Sequence, residues 1–212
     1  MSEISKKIEL SYINFILLHN KRPNSVNDLI SNELEENKTE ILEEYKEINK
    51  IETQIWESGI MTAFQHSEND PNYAEYTVRE KLLSFFYNYA EVLKKEEKFY
   101  EYSANIHSIF ELSILNERSS VLKNVFLNNV NGIIKSGIET GEVADRFFIS
   151  DYYGDIIWYQ ALLIIRYCIS DESNEKENTD EIIEKSVNLI MDLFEPNFTD
   201  SAFLLAKFLF QK

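Results

Sequence analysis

Residues that break helices are rare in this chain. Its 212 residues include only five glycines and three prolines. Tight turns between β-strands depend heavily on glycine, and glycine and proline together mark most loops. Apolar side chains recur at spacings of three and four residues along almost the whole sequence, which is the period of an amphipathic helix. The sequence therefore predicts an all-α fold.

The composition excludes several classes of protein. The longest uncharged apolar run, residues 156–165, is much shorter than the roughly 20 residues that a membrane span needs, so we expect no stable membrane insertion. Charged residues near the start argue against a secretory signal and favour a cytoplasmic location. The single cysteine, Cys168, excludes an internal disulfide framework and a cysteine-rich metal site. The net charge of −16 disfavours nucleic-acid binding unless a basic patch is present.

Three short helices and a longer fourth one are predicted for the first sixty residues. Each has apolar positions three or four residues apart, and polar runs or a proline separate them. The apolar positions of the four predicted helices are, in order, Ile8, Tyr12, Phe15 and Ile16; Val26, Leu29 and Ile30; Ile41, Leu42 and Tyr45; and Ile48, Ile51, Ile55 and Trp56. This order is the outline of a helix-turn-helix domain, residues 1–58, joined to a helical body, residues 59–212.

The body is predicted to contain six further helices. Pro71 stops the fourth helix, because a proline pushes the residue before it out of the α region. Thr77 and Glu80 then form the capping-box pattern that opens the next helix, and Gly141 provides a closing residue further on. The expected helices span residues 76–93, 100–115, 121–138, 147–169, 179–194 and 199–210.

Several phrases of the sequence carry a family resemblance. They are Arg22-Pro-Asn-Ser-Val26, Glu75-Tyr-Thr-Val-Arg-Glu-Lys-Leu-Leu83, Gly141-Glu-Val-Ala-Asp-Arg146 and Glu184-Lys-Ser-Val-Asn-Leu189. With the order of the helices, they resemble the TetR-like family of transcriptional regulators, in a branch with its own carboxy-terminal domain. The resemblance implies a DNA-binding amino-terminal unit, a ligand-binding body and a homodimer formed by the last long helices. It also implies double-stranded DNA and a hydrophobic small molecule as partners.

The span that matches the family's recognition helix, residues 37–47, has the wrong charge for DNA. It contains two lysines and four glutamates, and residues 1–60 contain seven Lys or Arg against twelve Asp or Glu, a net charge of −5. Phosphate contacts supply most of the non-specific affinity of a DNA-binding protein. The positions that could still contact a DNA backbone are Ser25, Lys38, Thr39, Tyr45 and Lys46. Weak DNA binding and no DNA binding both stay open.

No motif for catalysis or metal binding is present. The sequence lacks the glycine-rich phosphate loops, the Gly-x-Ser-x-Gly elbow and the His-Glu-x-x-His metal motif. The histidines His19, His66 and His107 lie far apart, and the helical spacing of His107 and Glu111 has no further ligands to complete a site. We therefore expect no catalytic residues, no metal site and no cofactor.

A ligand site is predicted in the body from two patterns. Arg166 lies in the apolar run 156–169, where a charge that faces the interior needs a partner or a hydrophobic anion as ligand. The alternative is a surface position, or an ion pair across a dimer seam. The aromatic side chains of the body favour a ligand chamber or, equally, a solid core. The candidate ligand contacts are Phe86, Tyr89, His107, Phe110, Trp158, Tyr159, Leu162 and Arg166.

Two functions are consistent with these features. The leading hypothesis is a homodimeric TetR-like regulator with a hydrophobic effector pocket and a weak or degenerate DNA-binding surface. The alternative is a TetR-fold protein that binds a lipid or another small molecule and has lost DNA binding. In either case the last predicted helix, apolar on more than one face over residues 203–210, is expected to be buried against the body or a partner subunit.

Overall fold

The computed structural model describes residues 2–30, 34–104, 119–147 and 149–197, and these ranges contain helices and no strands. The all-α prediction is confirmed. The α-helices are α1 (Glu3–His19), α2 (Lys38–Glu44), α3 (Ile48–Glu68), α4 (Val78–Lys95), α5 (Glu97–Ala104), α6 (Ser119–Thr140), α7 (Tyr153–Ser170) and α8 (Glu177–Phe194). Short 3-10 turns lie at Val26–Leu29, Glu35–Asn37, Tyr73–Glu75, Ser150–Tyr152 and Asn174–Lys176. Within the described ranges, no helix combines the length and the apolar character that a membrane crossing requires.

Side-chain caps define where several helices begin and end. Ser2 caps α1, because its hydroxyl accepts a hydrogen bond from the backbone N–H of Ser5 (3.1 Å). Thr77 caps α4 through the backbone N–H of Glu80 (3.2 Å), and the Glu80 carboxylate accepts from the backbone N–H of Thr77 (2.8 Å). The capping-box prediction is confirmed. Gly141 adopts a φ of +80° and follows the last turn of α6.

At two places the observed helices differ from those predicted from the sequence. The second predicted helix lies where it was expected but is reduced to a single 3-10 turn, Val26–Leu29, with Ser25 as its N-cap residue. The predicted helix 147–169 begins only at Tyr153. The chain turns before that point, where the backbone N–H of Arg146 donates to Ser150 Oγ (2.7 Å) instead of continuing a helical ladder.

The remaining predicted helices of the body agree with the described residues. Residues 121–138 lie inside α6, and residues 179–194 lie inside α8. The predicted helix 100–115 is described only as far as Ala104, where α5 ends. The predicted last helix, residues 199–210, lies outside the described residues, and so does its expected burial.

Aromatic rings connect the amino-terminal helices to the body in one core. Phe64 of α3 stacks on Phe85 of α4 with ring centroids 4.0 Å apart. Phe126 of α6 lies 5.5 Å from Phe85, and Trp158 of α7 lies 5.4 Å from Phe126. Helix α3 therefore continues without a break across the predicted domain boundary at residue 58 and packs into the body.

A buried aspartate organises the link between α7 and α8. Asp171 accepts hydrogen bonds from the backbone N–H of Thr179 (2.8 Å), from the Thr179 hydroxyl (2.7 Å) and from the backbone N–H of Ser173 (2.9 Å). Burial raises the pKa of the Asp171 carboxyl, but these hydrogen bonds outweigh burial and lower the pKa well below its usual value of 3.8. The charged carboxylate is therefore the form that holds the start of α8 in place.

We predict that Asp171→Asn lowers the free energy of unfolding by about 1–2 kcal/mol at pH 7. Because the pKa of Asp171 is lower in the folded chain than in the unfolded chain, its charge stabilises the fold at pH values above 3.8. This stabilisation is lost as the pH falls below 3.8 and through the lower pKa of the folded chain. Urea unfolding measures the free energy of unfolding at pH 7, where the stabilisation is complete, and at pH 3, where part of it is lost. The difference between the variant and the natural chain should shrink at pH 3, and the exposed-site control Asp151→Asn should change little at either pH. A constant difference at both pH values would contradict the prediction.

Candidate functional site

A buried carboxylate holds together the amino-terminal unit, which comprises α1, α2, α3 and the turns between them. Glu52 of α3 is fully buried and accepts hydrogen bonds from Arg22 Nε (2.8 Å), Arg22 Nη2 (2.9 Å) and the hydroxyl of Tyr12. The backbone N–H of Arg22 donates to the hydroxyl of Tyr102 in α5 (2.9 Å). The loop before the first 3-10 turn is therefore fixed to α3 and to α5.

The outward surface of α2 is acidic. The helix has only seven residues, and its inward side is anchored by the buried Ile41. Its exposed side chains are Thr39, Glu40, Glu43 and Glu44. Lys38 is half-buried and forms an ion pair with Glu35 (3.1 Å). The helix that occupies the recognition position therefore presents three carboxylates to solvent and only one cation, which already has an acidic partner.

Three of the five residues predicted to contact DNA line one groove. An open groove of about 460 Å³ between the first 3-10 turn and the junction of α2 with α3 is lined by Ser25, Tyr45 and Lys46. The hydroxyl of Ser25 donates to Asp28 Oδ1 (3.3 Å), and Ser25 caps the 3-10 turn. Lys46 is exposed. Lys38 and Thr39 lie on α2 outside this groove.

The prediction for Tyr45 as a DNA contact is wrong. Its side chain is only 1% exposed, and its hydroxyl donates to Gln54 Oε1 (2.8 Å) and lies 3.2 Å from Ser5 Oγ. Burial raises the pKa of the phenol. Because the hydroxyl is already bonded inside the amino-terminal unit, Tyr45 has no donor left for a DNA phosphate.

Most of the predicted ligand contacts that the structure describes lie inside the packed core. The buried ones on α4 and α7 include Phe86, Tyr89, Trp158 and Leu162. The Tyr89 hydroxyl is buried and has no hydrogen-bond partner among the described residues, and burial raises its pKa well above the usual value. His107 and Phe110 lie outside the described residues.

Tyr159 and Arg166 have opposite environments on α7. Tyr159 is 66% exposed, so the prediction that it lines an internal pocket is wrong. Arg166 is only 9% exposed, and no residue that the structure describes forms a hydrogen bond or an ion pair with its guanidinium. The burial of Arg166 contradicts a surface position for this side chain.

Large apolar side chains are exposed on α7 and α8. They are Tyr159, Leu163 and Tyr167 on α7, and Leu189 and Leu193 on α8. The two helices pack together, and Gln160 Nε2 donates to Ser186 Oγ between them (3.1 Å). We call the two exposed rows together the α7–α8 face. Sequence reasoning missed Leu163, Leu189 and Leu193, although their four-residue spacings place each row on one side of its helix.

A second groove, of about 670 Å³, lies where the amino-terminal unit meets the body, and we call it the junction groove. It is formed by α1, α3, α4 and α5, and its lining includes Glu9, Ile13, Ile55, Gly59, Val92 and Tyr100. Glu9 Oε1 accepts hydrogen bonds from Gln54 Nε2 (2.6 Å) and Ser58 Oγ (3.3 Å), and burial raises the pKa of the Glu9 carboxyl. Sequence reasoning missed this groove because no local motif links residues from four helices.

Reactive and metal-binding groups are scarce in the part of the chain that the structure describes. Within these residues, no three His, Cys, Asp or Glu side chains come together as a possible metal site. Burial raises the pKa of the Cys168 thiol to about 11. This thiol therefore stays protonated and unreactive near neutral pH.

Comparisons with known proteins identify the family. The model of the family described as "Tetracyclin repressor-like, C-terminal domain" matches residues 81–209. A bacterial regulatory protein in the tetR family from Rhodococcus RHA1 has a similar structure, with a TM-score of 0.51, 13% identity, and coverage of 93% of this chain and 100% of that chain. A protein with unknown function from Rhodococcus sp. RHA1 has a TM-score of 0.51, 10% identity, and coverage of 92% of this chain and 97% of that chain. No curated protein matches the chain.

The two kinds of similarity agree with the architecture. The family match spans more than half of the chain, and the similar structures share its fold across both the amino-terminal unit and the body. The resemblance seen in the sequence is confirmed. The protein therefore belongs to the tetracyclin repressor-like family.

Proposed function

We propose that this TetR-type regulator is a homodimer whose amino-terminal unit has only weak affinity of its own for DNA. The observation that carries this proposal is the solvent-facing surface of α2, with its three exposed glutamates. We place the protein in the cytoplasm, where it has access to DNA. Its effector is a hydrophobic small molecule that binds in the body.

The charge of α2 sets the expected strength of DNA binding. Each cation that neutralises a phosphate releases counterions, and this release supplies the non-specific affinity. On α2 the carboxylates of Glu40, Glu43 and Glu44 would face the phosphates, whereas Lys38 is paired with Glu35. A glutamate can accept a hydrogen bond from cytosine, but only after other groups have docked the protein. These features support weak binding with few phosphate contacts.

The α7–α8 face supports the proposed dimer. Its five large apolar side chains are exposed in the single chain, and large exposed apolar patches are typical of protein–protein interfaces. In a two-fold dimer the same face of each subunit meets its copy, so one surface is sufficient. Regulators of this family act as dimers, which agrees with a second copy of the chain as the occupant.

Arg166 supports a hydrophobic anion as the effector. Arg166 as a whole is only 9% exposed on α7, next to Leu162 on the same helix, and its guanidinium has no described partner. A buried charge without a partner is unfavourable, and an anionic group with an apolar tail would remove that penalty. The side chains of Phe86 and Trp158 are buried in the core, which argues against a large ligand chamber in the body.

A second candidate function is a TetR-fold binding protein that has lost DNA binding. The single 3-10 turn at Val26–Leu29 favours it, because the family's second helix is reduced to four residues and supports α2 poorly. The two functions differ in one measurable property, the affinity for duplex DNA at low salt.

We predict that reversing the charge of α2 creates DNA affinity. In the variant Glu40→Lys/Glu43→Lys/Glu44→Lys, non-specific affinity for duplex DNA at low salt should rise by about tenfold or more, with a steeper salt dependence, because added cations displace counterions. Fluorescence anisotropy with DNA from upstream of the protein's own coding region measures the affinity of the variant and of the natural chain. The matched control Glu139→Lys/Glu172→Lys/Glu184→Lys makes the same charge change at exposed positions of the body. An equal gain in the control would contradict a DNA-facing role for α2.

The natural chain in the same titration separates the two functions. Weak binding at low salt that declines as salt is added supports the regulator. No binding even at low salt supports the binding protein.

We predict that Leu163→Asp converts the dimer into monomers. The substitution places a charge in the middle of the α7–α8 face, and burying that charge without a partner is strongly unfavourable. Light scattering after size exclusion should change from twice the chain mass to a single chain of 25.0 kDa. Leu18→Asp on α1, at another exposed leucine, should leave the mass unchanged. A natural chain that is already monomeric would contradict the proposal.

We predict that the natural chain co-purifies with an acyl or isoprenoid anion and that Arg166→Met loses it. The guanidinium is the group that would neutralise the ligand's charge. Native mass spectrometry of the protein as purified detects the bound mass. Arg79→Met is the matched control, because Arg79 is bonded to Asp192 and Glu195 at the surface and should leave the bound mass unchanged. Equal loss of the ligand in both variants would contradict a specific role for Arg166.

A further inference from the structure

The junction groove is the larger of the two grooves described above, and nothing in the proposed function uses it. Its lining comes from α1 and α3 on one side and from α4 and α5 on the other, so an occupant would contact the amino-terminal unit and the body at the same time. At about 670 Å³ its volume is within the range that holds small organic ligands.

Glu9 gives the groove a negative charge in an apolar environment. The side chain is only 8% exposed, and its oxygen Oε1 accepts from two neutral donors, Gln54 and Ser58. The other oxygen, Oε2, accepts no hydrogen bond from any described residue. Lys94 and Lys95 also line the groove, but both are exposed and neither forms an ion pair with Glu9. Lys6 and the amino terminus attract the carboxylate at longer range, but no described cation forms an ion pair with it.

Tyr100 supplies a second polar atom to the same groove. The residue is 2% exposed, and no described residue forms a hydrogen bond with its hydroxyl. This hydroxyl packs over Gly59, where a Cβ atom would approach it to 2.6 Å, so glycine is required for the present position of the ring. The Tyr100 ring also packs edge-on against Trp56, with centroids 4.7 Å apart. Its phenolic oxygen is thus held at the groove and is free to accept a hydrogen bond.

Three aliphatic side chains form the apolar part of the lining, and the other polar residues along its edge are Ser58, Thr62, His66, Glu91, Lys94, Lys95 and Glu96. Ile13 of α1, Ile55 of α3 and Val92 of α4 line the groove beside the two polar atoms. We propose that the junction groove binds a small organic ammonium ion with an apolar body. Its N–H groups donate to Glu9 Oε2 and to the oxygen of Tyr100, and its alkyl part packs against the three aliphatic side chains. An anion of the same shape is repelled by Glu9.

This inference does not depend on DNA binding or on the effector near Arg166. It concerns a different ligand class at a different place, and its test measures ligand binding alone. The proposed function can fail while the ammonium site stands, and the reverse also holds.

The test uses isopentylammonium chloride as the probe and the full chain labelled with nitrogen-15. The backbone N–H of Gly59 reports from the groove, and Gly132, an exposed glycine with no atoms near its Cβ position, is the internal control. We expect a saturable shift of the Gly59 signal with a dissociation constant of about 1–10 mM, and no shift of the Gly132 signal. The neutral alcohol and the carboxylate of the same carbon skeleton should bind at least about tenfold more weakly.

Variants assign the binding to the two polar side chains. Glu9→Gln should weaken binding of the probe by about tenfold or more, because the charge-assisted hydrogen bond is lost. It should not lower the unfolding temperature, since a carboxyl whose pKa is raised by burial is unfavourable in its charged form. Tyr100→Phe should weaken binding severalfold. Glu57→Gln, at a half-buried carboxylate of α3 outside the groove lining, should bind as the natural chain does.

Three outcomes would overturn the ammonium site. They are the absence of a saturable Gly59 shift in the natural chain, equal affinity for the amine and the alcohol, and unchanged affinity in Glu9→Gln. If Glu9→Gln does not fold, the comparison of amine with alcohol on the natural chain still decides the question.

Discussion

Helix α3 belongs to two packed regions at once, and the rest of the structure depends on that constraint. Its first half carries Glu52, which Arg22 and Tyr12 hold inside the amino-terminal unit. Its second half carries Phe64, which stacks on Phe85 of the body at 4.0 Å. Protein interiors are close-packed and deform little, so α3 cannot shift in one region without disturbing the other. The amino-terminal unit and the body are therefore mechanically connected, although the unit presents an acidic surface to solvent.

Two buried glutamates near this connection have different environments. Glu52 has a guanidinium and a phenol as partners, and its carboxylate is compensated where it lies. Glu9 has only an amide and a hydroxyl as hydrogen-bond partners, its cations act from longer range, and burial raises the pKa of its carboxyl. A buried acid with incomplete compensation destabilises the fold, and such groups are enriched where a protein binds something. The contrast between the two acids indicates that Glu9 has a role beyond packing.

Local signals in the sequence were sufficient for most of the fold. Thr77 with Glu80 and the glycine at 141 mark their helix ends correctly, because capping depends on neighbouring residues alone. Tyr45 was misassigned, because only the folded unit brings Gln54 and Ser5 to its hydroxyl. Helical periodicity also cannot distinguish a cavity wall from a solid core. For this reason aromatic residues of α4 were predicted as ligand contacts, although they lie in the packed core. The junction groove needs four helices at once, and no single stretch of sequence contains it.

The short helix α5 connects the groove to the amino-terminal unit through specific contacts. Tyr100 lines the groove, and two or three residues further along the same helix Tyr102 accepts from the backbone of Arg22 (2.9 Å) and Ser103 accepts from Trp56 Nε1 (3.1 Å). An ammonium ion that fixes Tyr100 therefore also restrains the loop before the first 3-10 turn. Linkage makes the effect reciprocal, because any partner that prefers one position of the amino-terminal unit must change the affinity of the groove by the same factor. Such coupling needs no affinity for DNA, and it works equally with a protein partner on the acidic surface of α2.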